Sequence, residues 1–210
     1  MNKNTSFLGI LSLAFLMAGC GGGGDGGLSN DNPGNNNLNM VVAFGDSLTQ
    51  GSSCSCLSYP TRLGPMILKT VANTGVAGSM ATENVDRAQS AIDRFHPAFM
   101  LILYGVNDLI HSSSVSAVEE ALDQMVLICK QNNVVPVLAT YPKPILDHQG
   151  FAPQTLALNQ RIRAIASTRG IRCVDLESEF AADPAFYEDD GLHPNDAGTQ
   201  LIAMAFADLF

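Results

Sequence analysis

The stretch Met40-Val41-Val42-Ala43-Phe44-Gly45-Asp46-Ser47-Leu48 decides the reading of this chain. Five apolar residues run unbroken into a glycine, an acid and a serine. An unbroken apolar run of this length reads as a strand buried on both faces, as in parallel sheets. The Gly-Asp-Ser that follows is a turn able to present a hydroxyl at the sheet edge.

Working outward, apolar runs at residues 70–73, 98–104, 134–140 and 171–176 repeat the strand pattern. Residues 59–69, 79–95, 115–132, 153–169 and 195–210 place apolar side chains three and four apart, which predicts helices. The alternation predicts an α/β fold: a three-layer α/β/α sandwich around a five-stranded parallel sheet. A flavodoxin-like strand order 2-1-3-4-5 then sets the first strand between the second and the third.

Three further segments complete an ordered set: Asn73-Thr74-Gly75-Val76-Ala77-Gly78, Gly105-Val106-Asn107-Asp108, and Asp190-Gly191-Leu192-His193-Pro194. Each follows a predicted strand. With right-handed crossovers all strands end on one edge, so the four segments meet on one rim. A serine, a histidine, a carboxylate and amide donors gathered there are the parts of nucleophilic acyl transfer. Asp189 adjoins Asp190 and competes with it for the acid position. Asp46 and Asp108 are expected to hold their turns through backbone amides, and His96, His111 and His148 to be surface or loop residues.

On these four blocks the chain resembles the SGNH hydrolases, also called the GDSL lipase/esterase superfamily, over about residues 40–210. Within that superfamily it is most like bacterial thioesterase I/lysophospholipase and arylesterase-type enzymes. The resemblance implies Ser47 as nucleophile, His193 as base and Asp190 as its partner, with an oxyanion hole formed by the Ser47 and Gly75 amides and the Asn107 side chain. Gly78 is expected only to shape the turn. No cofactor or metal is implied. The implied function is hydrolysis of acyl esters, of short to medium chain, with possible lysophospholipase or thioesterase activity. A carbohydrate O-acetyl esterase and a non-catalytic, ligand-binding surface lipoprotein are the alternatives. The small-molecule ester or lipid substrate would lie against residues 54–59, 109–114 and 141–151. The last holds Pro142, Pro144, Ile145, Leu146 and Phe151, which either line an acyl site or pack the loop down.

The N-terminus carries a different message. Lys3 precedes a mostly apolar run from Phe7 to Ala18, too short for a mature membrane span and right for an export signal over residues 1–19. Met17-Ala18-Gly19-Cys20 resembles a bacterial lipobox, with Met17 where leucine is usual, and implies lipidation of Cys20. An ordinary secretory signal with an idle Cys20 is the alternative. Residues 20–37, rich in Gly and Asn, are expected to form a disordered tether with a root-mean-square span of about 23 Å, leaving residues 38–210 as one hydrolase domain. The protein is then a lipid-anchored monomer of the cell envelope, on the outer membrane if the host is Gram-negative, since Gly21 rather than Asp follows the cysteine.

Removing residues 1–19 removes one lysine and no acid, leaving 10 basic against 20 acidic residues, a net charge of −10. Such a chain lacks the clustered cations that nucleic acid requires. Cys54, Cys56, Cys129 and Cys173 remain, in a compartment that permits disulfides, and their spacing leaves three pairings open.

Overall fold

The computed structural model describes residues 31–52 and 54–210. The expected signal segment and Cys20 lie outside the described residues, as does the expected tether up to residue 30. Five parallel strands form the sheet: β1 (Asn37–Gly45), β2 (Thr70–Asn73), β3 (Pro97–Leu103), β4 (Val135–Ala139) and β5 (Arg172–Val174), in the order β2-β1-β3-β4-β5. This is the predicted order. Met40 pairs with Thr70, Val41 with Phe99, Phe99 with Val135 and Val137 with Arg172.

The helices are α1 (Ser47–Gln50), α2 (Tyr59–Ile67), α3 (Val85–Phe95), α4 (Val106–Ile110), α5 (Val115–Gln131), α6 (Ala152–Arg169), α7 (Leu176–Phe180) and α8 (Asp196–Ala207). Successive strand residues point to opposite faces, so the unbroken apolar runs feed two cores. Val41, Ala43, Leu101 and Leu103 pack with Tyr59, Leu63, Phe180, Ile202 and Phe206 of α2, α7 and α8. Val42, Phe44, Met100 and Ile102 pack with Ala88, Ile92, Val118, Leu122, Met125, Leu158 and Ile162 of α3, α5 and α6. Those faces are the three layers.

Two expected elements are cut short by side-chain capping. The run 171–176 gives a strand of only Arg172–Val174, because Asp175 accepts the Ser178 amide and starts α7 at Leu176. The helix expected from residue 79 begins at Val85 instead. Its lead-in is a short turn, Ala81–Glu83, held by Asp108, whose carboxylate accepts the Ala81 and Thr82 amides at 2.8 and 3.0 Å and the Thr82 hydroxyl at 2.8 Å.

Residues 31–37, expected in the tether, join the body. Asp31 is ion-paired with Arg172, and the Asn36 side chain donates to the Asn132 and Asn133 carbonyls at 2.9 Å each. Cys54 and Cys56 form a disulfide across one residue, while Cys129 is buried against Met100.

Candidate active site

The turn after β1 leaves no room for choice at its glycine. A side chain on Gly45 would place Cβ 2.4 Å from the Leu103 carbonyl oxygen of β3, so only glycine lets β1 run on to Asp46. Asp46 caps α1 by accepting the Leu48 amide at 3.0 Å. Ser47 is thereby the first residue of a four-residue helix that ends at Gly51 in the left-handed region.

Asp46 is fully buried, and burial pushes its carboxyl up to about 7, although the Leu48 amide and the Tyr141 hydroxyl pull it down. The Tyr141 hydroxyl donates to both Asp46 oxygens at 3.4 and 3.5 Å. The nucleophile turn thus rests on a carboxyl that ionises only at a cost.

Ser47 is 7% exposed. Its Oγ lies 3.0 Å from His193 Nε2, and His193 Nδ1 lies 2.5 Å from Asp190 Oδ2. The other Asp190 oxygen accepts the Leu192 and His193 amides at 2.9 and 3.0 Å. Burial alone would raise the Asp190 carboxyl, but the bonds from the His193 ring and these two amides outweigh it and hold it below its ordinary value. Of the neighbouring acids, Asp190 and not Asp189 meets the histidine.

The loop carrying both residues is strapped from outside. Gly191 has φ 69°, and a Cβ there would stand 2.3 Å from the Ile145 carbonyl oxygen. The Ile145 amide donates to the Gly191 carbonyl at 2.8 Å, and His148 Nδ1 lies 2.8 Å from the Asp190 carbonyl oxygen. Tyr187 donates to the Lys143 carbonyl at 2.9 Å. The segment 141–151 therefore packs the loop, with Pro142 and Pro144 buried and Leu146 exposed. The role of His148 has no signal in the sequence beyond its place in that segment.

The glycine block departs from expectation. The Gly75 amide donates to Asn73 Oδ1 at 3.0 Å, which corrects its expected place as an open donor. Gly75 is glycine for another reason: a Cβ would stand 2.2 Å from the Gln50 nitrogen at the end of α1. The amides of Val76, Ala77 and Ser79 go to the Gly45 carbonyl, Gln50 Oε1 and the Val76 carbonyl. Among the described residues the Gly78 amide has no acceptor, and a Cβ at Gly78 would meet open space.

Asn107 reaches the residue after Gly78. Its Nδ2 donates to the Ser79 carbonyl at 3.2 Å, leaving one amide proton, and Asn107 itself is 8% exposed. Beneath it the Ser79 hydroxyl donates to the Val76 carbonyl at 2.7 Å and lies 3.0 Å from the Tyr104 hydroxyl. Arg87 donates to Tyr104 at 2.7 Å and to the Thr74 carbonyl at 3.0 Å. Ser79, Arg87 and Tyr104 brace the block, and none was identifiable from a motif. On the far side, His111 Nδ1 lies 2.8 Å from the Asn107 carbonyl oxygen at the end of α4.

Comparison with known proteins matches residues 43–201 to the model of the GDSL-like lipase/acylhydrolase family. A curated relative, the uncharacterized lipoprotein YqeF of Bacillus subtilis (strain 168), is 31% identical over 110 residues, 49% of this chain and 40% of that protein. Among solved structures, a member of the lipolytic protein G-D-S-L family from Veillonella parvula superposes with a TM-score of 0.72 at 17% identity, covering 81% of this chain and 97% of that one. The lipase/acylhydrolase of Enterococcus faecalis gives 0.67 at 21% identity, with 81% and 94% covered. A catalytic mutant of Axe2, an acetylxylan esterase from Geobacillus stearothermophilus, gives 0.69 at 18% identity, with 81% and 93% covered.

Proposed function

The chain belongs to the GDSL-like lipase/acylhydrolase family, and on that premise we propose that it hydrolyses carboxylic esters with Ser47 as nucleophile, His193 as base and Asp190 as the acid that orients it. The observation that carries the proposal is the continuous chain from Ser47 Oγ to His193 at 3.0 Å and on to Asp190 at 2.5 Å. His193 Nε2 takes the serine proton as Oγ attacks the carbonyl, then returns it to the leaving alcohol. Water, deprotonated by the same nitrogen, releases the acid from the acyl-enzyme. Asp190, kept ionised by its amides, stabilises the imidazolium that forms in each step.

The oxyanion is held by the Ser47 amide, the second Asn107 amide proton and the Gly78 amide, which takes the place expected of Gly75. Each such donor contributes roughly 100- to 1000-fold to turnover. Family membership sets aside the non-catalytic alternative. The substrate is a small-molecule or polymer-borne acyl ester of short to medium chain. Likeness of fold to an acetylxylan esterase supports the carbohydrate O-acetyl reading as the second. The chain acts as an envelope monomer held by lipid on Cys20, a reading supported by the lipobox and by a relative called a lipoprotein.

A fluorophosphonate probe and nitrophenyl esters of increasing acyl length test this, with Ser47→Ala alongside. Labelling and turnover confined to the wild type are expected. An unlabelled, inactive wild type would refute the assignment, and activity that stops beyond butyryl would select the O-acetyl reading.

A further inference from the structure

The strand edge opposite Ser47 differs from the rim. Leu38, near the start of β1, is 58% exposed, and Leu68, two residues before β2, is 88% exposed. Their strands are neighbours, and the pairing of Met40 with Thr70 puts both leucines at the same end of the sheet, Leu68 as the left-handed cap that ends α2. Between them the Lys69 ammonium donates to the Leu38 carbonyl at 2.8 Å and stands 5.7 Å over the Phe99 ring. Phe210 packs edge-on against Phe99 at 5.1 Å and is itself 37% exposed. Three large apolar side chains thus surround one lysine on a surface no core requires.

Charge is sorted the same way. Lys69, Arg94, Lys130, Arg169 and Arg172, half of the basic residues after Lys3, stand just before or at the starts of β2, β3, β4 and β5. Arg169 and Arg172 pair with Asp123 and Asp31, whereas Lys69, Arg94 and Lys130 are in no ion pair among the described residues. Acids gather at the rim, among them Asp46, Asp108, Asp175, Glu188, Asp189 and Asp190. Helix dipoles favour this sorting, and its result is a net acidic molecule with one partly apolar end where these five cations outnumber Asp31, Asp93 and Asp208. Apolar side chains set among cations suit an anionic lipid surface.

The path of the chain points to the same end. Ten residues separate Cys20 from Asp31. Asp31 is held by Arg172 at the start of β5 and Asn36 by the carbonyls just before β4, so the chain passes along this edge into β1. The chain from Cys20 thus enters the body at this edge, with ten residues that reach about 35 Å at most. Among the described residues no helix is long and apolar enough to cross a membrane.

We propose that the edge formed by Leu38, Leu68, Phe210 and Lys69 docks on an anionic bilayer surface and turns Ser47 away from it. The proposal rests on the readings of Cys20 as a lipid anchor and Ser47 as the nucleophile. From Leu38 to Gly45, at the end of β1, is seven residues of strand, or about 23 Å at roughly 3.3 Å each. Esters in the anchoring leaflet are then out of reach, and the substrate class is acyl esters outside the bilayer plane, on polymers or free molecules.

The sequence has no tryptophan, so one introduced residue is a clean reporter. Leu38→Trp and Val76→Trp are placed in the full chain, on the basic edge and on the rim, and each is bound to phosphatidylglycerol vesicles containing brominated lipid. Quenching of Leu38→Trp at least about threefold stronger than that of Val76→Trp is expected. Equal quenching, stronger quenching at Val76→Trp, or none at either position would overturn the proposal. Each reporter is repeated with Cys20→Ser, and mass spectrometry reads the state of Cys20. The same order of quenching without the anchor separates docking from lipidation, and fluorophosphonate labelling reports on Ser47 independently of both.

Discussion

The two halves of the rim are held by different forces. The serine turn is clamped by backbone: Gly45 against the Leu103 carbonyl, Gly75 against Gln50, Asp46 buried beneath. The Asp190–His193 loop is half-exposed, with side-chain exposures of 36% and 21%, and is strapped by hydrogen bonds from residues 143–148 and from Asn195, which donates to the Ala185 and Tyr187 carbonyls at 2.9 Å each. A nucleophile fixed by close packing meets a base fixed by polar straps, so substitutions in the packing around Ser47 should cost stability and those in the Asp190–His193 loop activity.

The largest effect is expected at His193. His193→Ala should lower turnover by at least about 10⁴-fold with the melting temperature nearly unchanged, as steady-state kinetics and calorimetry would show. Turnover within tenfold of wild type would mean the loop half is not catalytic. Gly45→Ala should act in the opposite way. Its methyl meets strand backbone in a fully buried setting, so a loss of about 3–5 kcal/mol is expected, read by urea unfolding, and a stable variant would break the contrast.

Asp46 connects burial to pH. Its carboxyl lies near 3.8 unfolded and is pushed up to about 7 by burial, so between those values the folded state holds a proton that the unfolded chain has released. Stability from this group is therefore greatest below pH 4, falls as pH rises to 7 and changes little above. The change amounts to about 4 kcal/mol. Asp46→Asn should remove that slope, so the variant gains on wild type as pH rises from 4 to 8. Parallel stability curves for the two proteins would show that the carboxyl is not held protonated.

The smallest effect sharpens the comparison most. Gly191→Ala places a Cβ against the Ile145 carbonyl, at a φ of 69°, in a loop that can shift. It should lower turnover roughly tenfold and the unfolding free energy by only about 1 kcal/mol. A loss of stability matching that of Gly45→Ala would mean both halves are held by packing.

Much of this architecture is legible in the sequence. Unbroken apolar runs of strand length followed by helical spacing mark a parallel sheet, and the strand before Ser47 stands out because both its faces are covered. The ends of elements were less legible, since Asp175 and Asp108 choose their amide partners only when other segments arrive. Asp108 was expected to hold its own turn, and it holds residues 81–82 instead. Cys54 and Cys56 pair with each other, one of the pairings the spacing left open.

The sequence by itself determined the family, the alternation of strands and helices and the residue types that meet at the rim, because side-chain period and turn chemistry are local properties. Tertiary structure decided which donor each acceptor takes. The Gly75 amide is consumed by Asn73, the Gly78 amide is left open among the described residues, and His148 reaches the Asp190 carbonyl. Those outcomes depend on which distant segments are brought within 3 Å of one another, and a hydrogen bond decided at that range leaves no periodic trace in the chain.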